Sequence, residues 1–178
     1  MKVTIKGLGR LKNKVGKLPK LIEEGYMNAD TEIVEAIEGL AKSRLQANTQ
    51  HSQGNTNYVK SEVREEGGNK VSSIYTDKDT NIYKELGTGP VGESSQKDMP
   101  TDFHPVYTQK PWFFPVASVD MDLTALYGMR KLKLGDAEFY MSSGQPARPW
   151  LYPSYRDVME KSDQIYKRNI SEAIRKGL

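Results

Sequence analysis

Apolar residues along the chain follow two spacings, and each spacing places elements. Val3 and Ile5 alternate with polar neighbours, which predicts a short first strand ending at the Gly7-Leu8-Gly9 turn. From Leu18 to Leu45 the residues Leu18, Leu21, Ile22, Ile33, Val34, Ile37, Leu40, Ala41 and Leu45 recur at helical spacing, the strongest helix signal in the sequence. Gly25, followed by the capping candidates Asn28 and Asp30, predicts a short helix and then a longer one. Gln46 to Asn57, rich in Asn, Gln, Thr, Ser and Gly, reads as a loop. Strand periodicity then resumes: Val59, Ser61, Val63 and Glu65 alternate with Lys60, Glu62 and Arg64, and Gly67-Gly68-Asn69 turns into Val71 to Thr76, which predicts a hairpin. Asp77 to Thr80 reads as a turn, and Asn81 to Leu86 is too short to assign to strand or helix.

The stretch Val91 to Gln145 is long and heterogeneous, with polar Gly92 to Asp98 leading to the cluster Pro111-Trp112-Phe113-Phe114-Pro115. Prolines at both ends exclude a central strand across the cluster, because proline offers no N–H to a ladder. Trp112, Phe113 and Phe114 read first as core or loop packing, with an anchor buried between subunits as the alternative. Phe139 and Met141 alternate with polar neighbours and predict a last strand from Ala137 to Ser142. Ser154 is the expected N-cap of a second long helix, with Val158, Ile165, Ile170, Ala173 and Ile174 as its apolar positions and Gly177 as its stop.

With 178 residues and 20.1 kDa the chain fits one domain, 1–178, with an extended loop and hairpin region at 91–145. A net charge of +3 is too mild to imply nucleic-acid binding by itself. Its distribution is more informative, since Lys2, Lys6, Arg10, Lys12, Lys14, Lys17 and Lys20 all precede the first acidic residue, Glu23. The plain reading is a solvated helix face; the functional one turns Lys6, Arg10, Lys12, Lys14 and Lys17 toward packaged DNA or an acidic neighbouring subunit. There is no cysteine, which excludes disulfides, thiolate catalysis and cysteine-held zinc. The N-terminus lacks the apolar core of a signal peptide and no apolar run approaches a membrane span, so a chain that is soluble when made is expected.

Chemistry-bearing patterns are sparse. Tyr83-Lys84-Glu85-Leu86-Gly87-Thr88-Gly89-Pro90, with Gly92 behind it, has the glycines of an ordered turn but neither a Gly-Lys-Ser/Thr ending nor a dinucleotide fingerprint. Asp120 and Asp122, with Glu138 or His104, would be the ligands of a magnesium nuclease, yet no spacing demands such a site, and solvated carboxylates are the ordinary explanation. His51 and His104 are the only histidines, and neither stands in a metal or nucleophile motif. No catalytic, cofactor or metal residue is therefore assigned. Ala147-Arg148-Pro149-Trp150-Leu151-Tyr152-Pro153 stiffens the entry to the last helix, with Trp150 and Leu151 as core plugs and Arg148 turned to a partner carboxylate.

At these two motifs the chain resembles the HK-ninety-seven gene-product-ten-like family of bacteriophage neck, head-tail joining and minor tail-component proteins. That family pairs an N-terminal helix containing an Ala-Lys step, here Ala41-Lys42, with a Tyr-x-Glu-x-Gly-Thr turn and an Ala-Arg-Pro-aromatic-Leu-x-Pro entry into a last helix, in the order found here. Gln46 to Gly54 replaces the family's Pro-x-x-Thr-Gly step, and Val91 to Gln145 is longer than its minimal form. The resemblance implies an α+β fold, a twisted and mainly antiparallel sheet packed by a long N-terminal and a long C-terminal helix, with a loop-rich insertion. It further implies a non-enzymatic virion protein without cofactor or membrane contact, made in the host cytoplasm and assembled with itself as a ring of six at the neck. Its partners would be head-completion or connector proteins on one side and tail-terminator or tail-tube proteins on the other, with DNA passing through the channel. Glu85, Thr88, Trp112, Phe113, Arg148 and Trp150 are the candidates for subunit or partner contact. The alternatives are a tail-terminator ring, a DNA-binding module using the basic N-terminus, and the metal-dependent nuclease.

Overall fold

A helix of forty residues, α1 (Leu8–Ala47), opens the computed structural model, which describes residues 7–47, 55–67, 69–95 and 98–178. The strand expected at Val3 and Ile5, and Gln46 to Asn57 over residues 48–54, lie outside the described residues. The order that follows is a 3-10 turn (Asn55–Tyr58), β1 (Val59–Glu66), β2 (Asn69–Thr76), α2 (Asp79–Leu86), α3 (Gly89–Ser94), β3 (Trp112–Pro115), a 3-10 turn (Val116–Ser118), α4 (Leu123–Tyr127), β4 (Arg130–Leu134), β5 (Ala137–Ser142), α5 (Tyr152–Met159) and α6 (Ser162–Gly177). The fold is α+β with antiparallel sheets, and the strands divide into a β1-β2 pair and a β3-β5-β4 sheet. The chain groups into two compact units, Met1–Asp77 with Ser154–Leu178, and Lys78–Pro153.

In the first unit α1 is the spine. It does not break at Gly25 as its sequence suggests, and it runs through Pro19, whose missing N–H and ring ordinarily cost a helix about 3 kcal/mol. Leu8 and Gly9, read as part of a turn, are also helical; Gly7 alone keeps the positive φ of a turn residue. From Lys17 onward the tertiary reason is α6, which lies antiparallel on α1. Gly177 meets Leu21, Ile170 meets Gly25, and Tyr166 meets Tyr26 with ring centroids 5.5 Å apart. A Cβ at Gly25 would sit 2.6 Å from the Ile170 Cα, so this glycine serves helix-to-helix approach and not chain reversal. Asp30, expected as a cap, instead accepts a hydrogen bond from the Tyr166 hydroxyl.

Further along, Ile33, Ile37 and Val158 form the buried centre of the unit, with Leu40, Ile74, Ile165 and Tyr166 packed against it. Polar ties flank it: Glu32 accepts from Arg168 and Asn169, Glu38 from Lys42 and Ser61, and Arg44 donates to Asp157 at 2.6 Å and to the buried Ser154 hydroxyl at 3.3 Å. The expected β1-β2 hairpin forms, with Val59 facing Thr76, Glu66 facing Asn69 and Gly67 at positive φ in the turn.

The last helix differs from its expected outline. It begins at Tyr152, not after Ser154, and is interrupted at Glu160 and Lys161, where the Lys161 N–H reaches the Val158 carbonyl in a tightened turn. Ser154 is therefore inside α5, fully buried beneath Arg44, and is not the cap.

The Tyr166–Asp30 contact carries a pH dependence. Donation to the Asp30 carboxylate, then burial, push the Tyr166 phenol up to about 12. A group whose folded value is raised contributes stability that is whole below the ordinary tyrosine value of about 10 and is lost as pH rises through the folded value. Denaturant titrations from neutral pH to pH 12 should show stability falling above pH 10. Tyr166→Phe should be weaker by about 1 kcal/mol at neutral pH and lose less on the alkaline side. An identical alkaline fall in the variant would mean that other groups cause it.

Candidate functional site

The two sequence motifs belong to the second unit, and their meeting organises it. The Tyr83–Gly89 motif lies on the end of α2 and the turn after it, which Gly87 closes at φ 74°. From α2 the Glu85 side chain, itself buried, extends to the start of α5. There its carboxylate accepts three successive backbone N–H groups, from Trp150 at 2.5 Å, Leu151 at 2.8 Å and Tyr152 at 3.0 Å. The first N–H groups of a helix have no partner within it, and a carboxylate there also meets the favourable end of the helix dipole. Glu85 thus performs, from sixty-odd positions away, the capping role that the sequence suggested for Ser154.

The remaining bonds of the clasp join backbone to backbone and side chain to backbone. Thr88 and Gln145 form a two-way bridge at 2.9 and 3.2 Å, Arg148 N–H reaches the Lys84 carbonyl at 2.7 Å, and Ala147 N–H reaches Ser95 Oγ at 2.9 Å. The Trp150 indole donates to the Asn81 carbonyl at 2.9 Å, which anchors its ring inside the unit. Such close approach requires glycine. At Gly144, φ is +102° and an added Cβ would lie 1.7 Å from the Thr88 carbonyl oxygen.

These contacts correct part of the interface expectation. Glu85 and Trp150 face inward and are satisfied within their own unit, so they build the fold and offer no surface to a partner. Thr88 is half-buried in the bridge. Arg148 does have an exposed side chain, and after burial its positive charge is the second influence lowering the Lys84 ammonium. Trp112 and Phe113, read first as core or loop packing, are 38% and 51% exposed. Their strand, β3, is an edge of the β3-β5-β4 sheet, with no strand paired to its outer flank among the described residues, which agrees with the exclusion of a central strand.

The register of this sheet sorts its side chains. Phe114, Tyr140 and Lys131 stand in one row on the face that carries Leu123. There Tyr140 is buried, packs against Phe114 with the rings tilted by 43° and centroids 5.6 Å apart, and its hydroxyl accepts from the Leu123 N–H at 3.1 Å. The opposite face carries Phe113 and Arg130 beside Met141, Pro115 and Leu132 beside Phe139, and Leu134 beside Ala137. Apart from Arg130 it is apolar, and much of it is open; Leu134 is 65% exposed and Phe139 and Met141 are half-buried. The strand at 137–142 is where the sequence puts it, but Tyr140 and Ser142, not Phe139 and Met141, are its buried residues. Contiguous exposed apolar surface of this kind marks contact sites.

Leu132 and Leu134 were missed in the sequence. The signal was present: Arg130-Lys131-Leu132-Lys133-Leu134 alternates, and Gly135-Asp136 follows as a two-residue hairpin loop with Gly135 at positive φ. Helices α2 and α4 were likewise unassigned, each being short.

Nuclease ligands are not gathered. Asp122 caps α4 through the Thr124 N–H at 2.9 Å and pairs with Lys131 at 3.2 Å, an ion pair that holds its carboxyl below the usual range. His104 is exposed, and among the described residues no three His, Cys, Asp or Glu side chains are placed to hold a metal ion. Of the basic candidates, Arg10, Lys12, Lys14 and Lys17 lie on the exposed first turns of α1, while Lys6 is outside the described residues. Among the described residues no helix is long and apolar enough to cross a membrane.

Compared with protein-family models, curated proteins and solved structures, the chain matches none of them.

Proposed function

We propose that this chain is a structural subunit of the head-tail junction of a long-tailed bacteriophage, one that works by binding and not by catalysis. Copies would assemble as a ring, six being what the resemblance implies, between head-completion or connector proteins and the tail, with DNA passing through. The observation that carries the reading is the clasp. The two motifs on which the resemblance rests lie some sixty residues apart in sequence, yet Glu85 of the first accepts the N–H groups of Trp150, Leu151 and Tyr152 of the second. Residues that meet in one clasp are far less open to chance resemblance than two unrelated short strings. The open apolar face of the β3-β5-β4 sheet supports the same reading, because a subunit of an assembly has its exposed apolar surface covered by neighbours.

The test is electron microscopy of lysates from a phage in which this gene is disrupted, with the intact gene supplied in trans as control. Separate DNA-filled heads and finished tails, rejoined on complementation, are expected. Abnormally long tails would move the assignment to a tail-terminator ring, and normal joined virions would overturn it. Complementation by a Phe113→Asp, Leu134→Asp double variant should fail although the protein folds, since it places two charges on the open face without touching the clasp.

A further inference from the structure

We infer that the first turns of α1 form one half of a heterotypic helix pair, and that the occupant is an acidic amphipathic helix of another protein. Leu8, Leu11, Val15, Leu18 and Ile22 recur at alternating intervals of three and four, and Gly25 and Ala29 continue the series. This is the spacing of a coiled-coil seam. Downstream the seam is occupied, for Gly25 and Ala29 are buried and Ile170 of α6 lies against Gly25. The far end of α6 reaches only to Leu21 and Lys17, through Gly177. Upstream of that point α1 runs on for residues 8–16, about 14 Å of helix at 1.5 Å per residue, and Leu8, Leu11 and Val15 are each more than half exposed. The open stripe is thus continuous with a seam that already seats a helix.

Charge selects the occupant. Lys12 and Lys14 flank the stripe on its two sides, in the positions that set partner choice in coiled coils, and no acidic residue occurs before Glu23. A second copy laid stripe to stripe would set lysine against lysine. A lipid surface calls for a broad apolar face, whereas this stripe is the narrow seam alone and no aromatic residue occurs before Tyr26. DNA would use the cations and leave Leu8, Leu11 and Val15 in water. A helix with apolar seam residues and flanking glutamates satisfies both the stripe and the lysines. The inference concerns α1 alone and does not depend on the ring.

The test uses the full chain and a fluorescein-labelled designed peptide of three heptads with leucine at both seam positions and glutamate at the flanking ones. Its partner controls are the same peptide with lysine at the flanks, labelled duplex DNA, and phosphatidylcholine vesicles containing phosphatidylserine. Fluorescence anisotropy should show binding of the glutamate peptide, weakened about tenfold or more by Leu11→Asn or by Val15→Asn. The double variant Lys12→Glu, Lys14→Glu alters no packing residue and should reverse the preference toward the lysine peptide. Several results would overturn the inference: no binding of the glutamate peptide, binding insensitive to Leu11→Asn, tighter binding of DNA or vesicles than of the peptide, or self-association in sedimentation that Leu11→Asn abolishes.

Discussion

Replacing Glu85 by alanine should destabilise the Lys78–Pro153 unit by about 3–5 kcal/mol, the largest loss expected from removing any one side chain of the clasp. Three N–H groups that now share one carboxylate would be left at a buried helix start, and a neutral cavity offers them no acceptor. Glu85→Gln keeps the shape and one acceptor oxygen but turns an amide N–H₂ toward other donors, so about half of the loss should remain. The chain's two tryptophans, Trp112 and Trp150, both lie in this unit, so denaturant unfolding followed by tryptophan fluorescence reads it directly. Trp150 is 1% exposed and should shift strongly on unfolding, while the half-open Trp112 should shift little. An unchanged midpoint for Glu85→Ala would show that the carboxylate does not hold the clasp, and the structural argument for the two motifs would go with it.

Gly144→Ala should cost on the order of 3–6 kcal/mol, because two penalties add at that position. Its φ of +102° disfavours any side chain, and the new methyl would overlap the Thr88 carbonyl oxygen, a backbone atom that cannot step aside without opening the Thr88–Gln145 bridge. Gly135→Ala is the control. That glycine also has a positive φ, 65°, but nothing lies within 4 Å of its Cβ position, so only the conformational cost of about 1 kcal/mol applies. The difference between the two variants, measured by the same fluorescence unfolding, isolates the close approach of the two motif segments. Equal losses would mean that the backbone at 143–145 moves freely and that the bridge is incidental.

Both predictions turn on partners that are remote in sequence, which is why the candidate site was only half legible there. The strings Tyr83 to Gly89 and Ala147 to Pro153 stand out as motifs, but nothing in either says that Glu85 is an internal cap. The resemblance made it a candidate for partner contact, and only the position of the α5 start shows that the carboxylate is needed inside. Trp112 and Phe113 erred in the opposite direction. Their apolar character argued for the interior, whereas the edge position of β3 leaves them exposed.

The sequence by itself determined the local elements with a strong period or a distinctive turn: the helix through Leu18 to Leu45, the hairpin around Gly67, the strand at 137–142 and a helical C-terminus. These follow from side-chain spacing and backbone preference, which are properties of neighbouring residues. Tertiary structure alone decided that α1 runs unbroken past Pro19 and Gly25, that Tyr140 is buried and Phe139 less so, and that Glu85 caps α5. In each of those cases the outcome is set by what packs against the element. Ile170 fills the space at Gly25, the Leu123 N–H reaches the Tyr140 hydroxyl on one face of the sheet, and the N–H groups of residues 150–152 converge on one carboxylate. Periodicity announces that a face exists; which face is buried depends on contacts made across long stretches of chain.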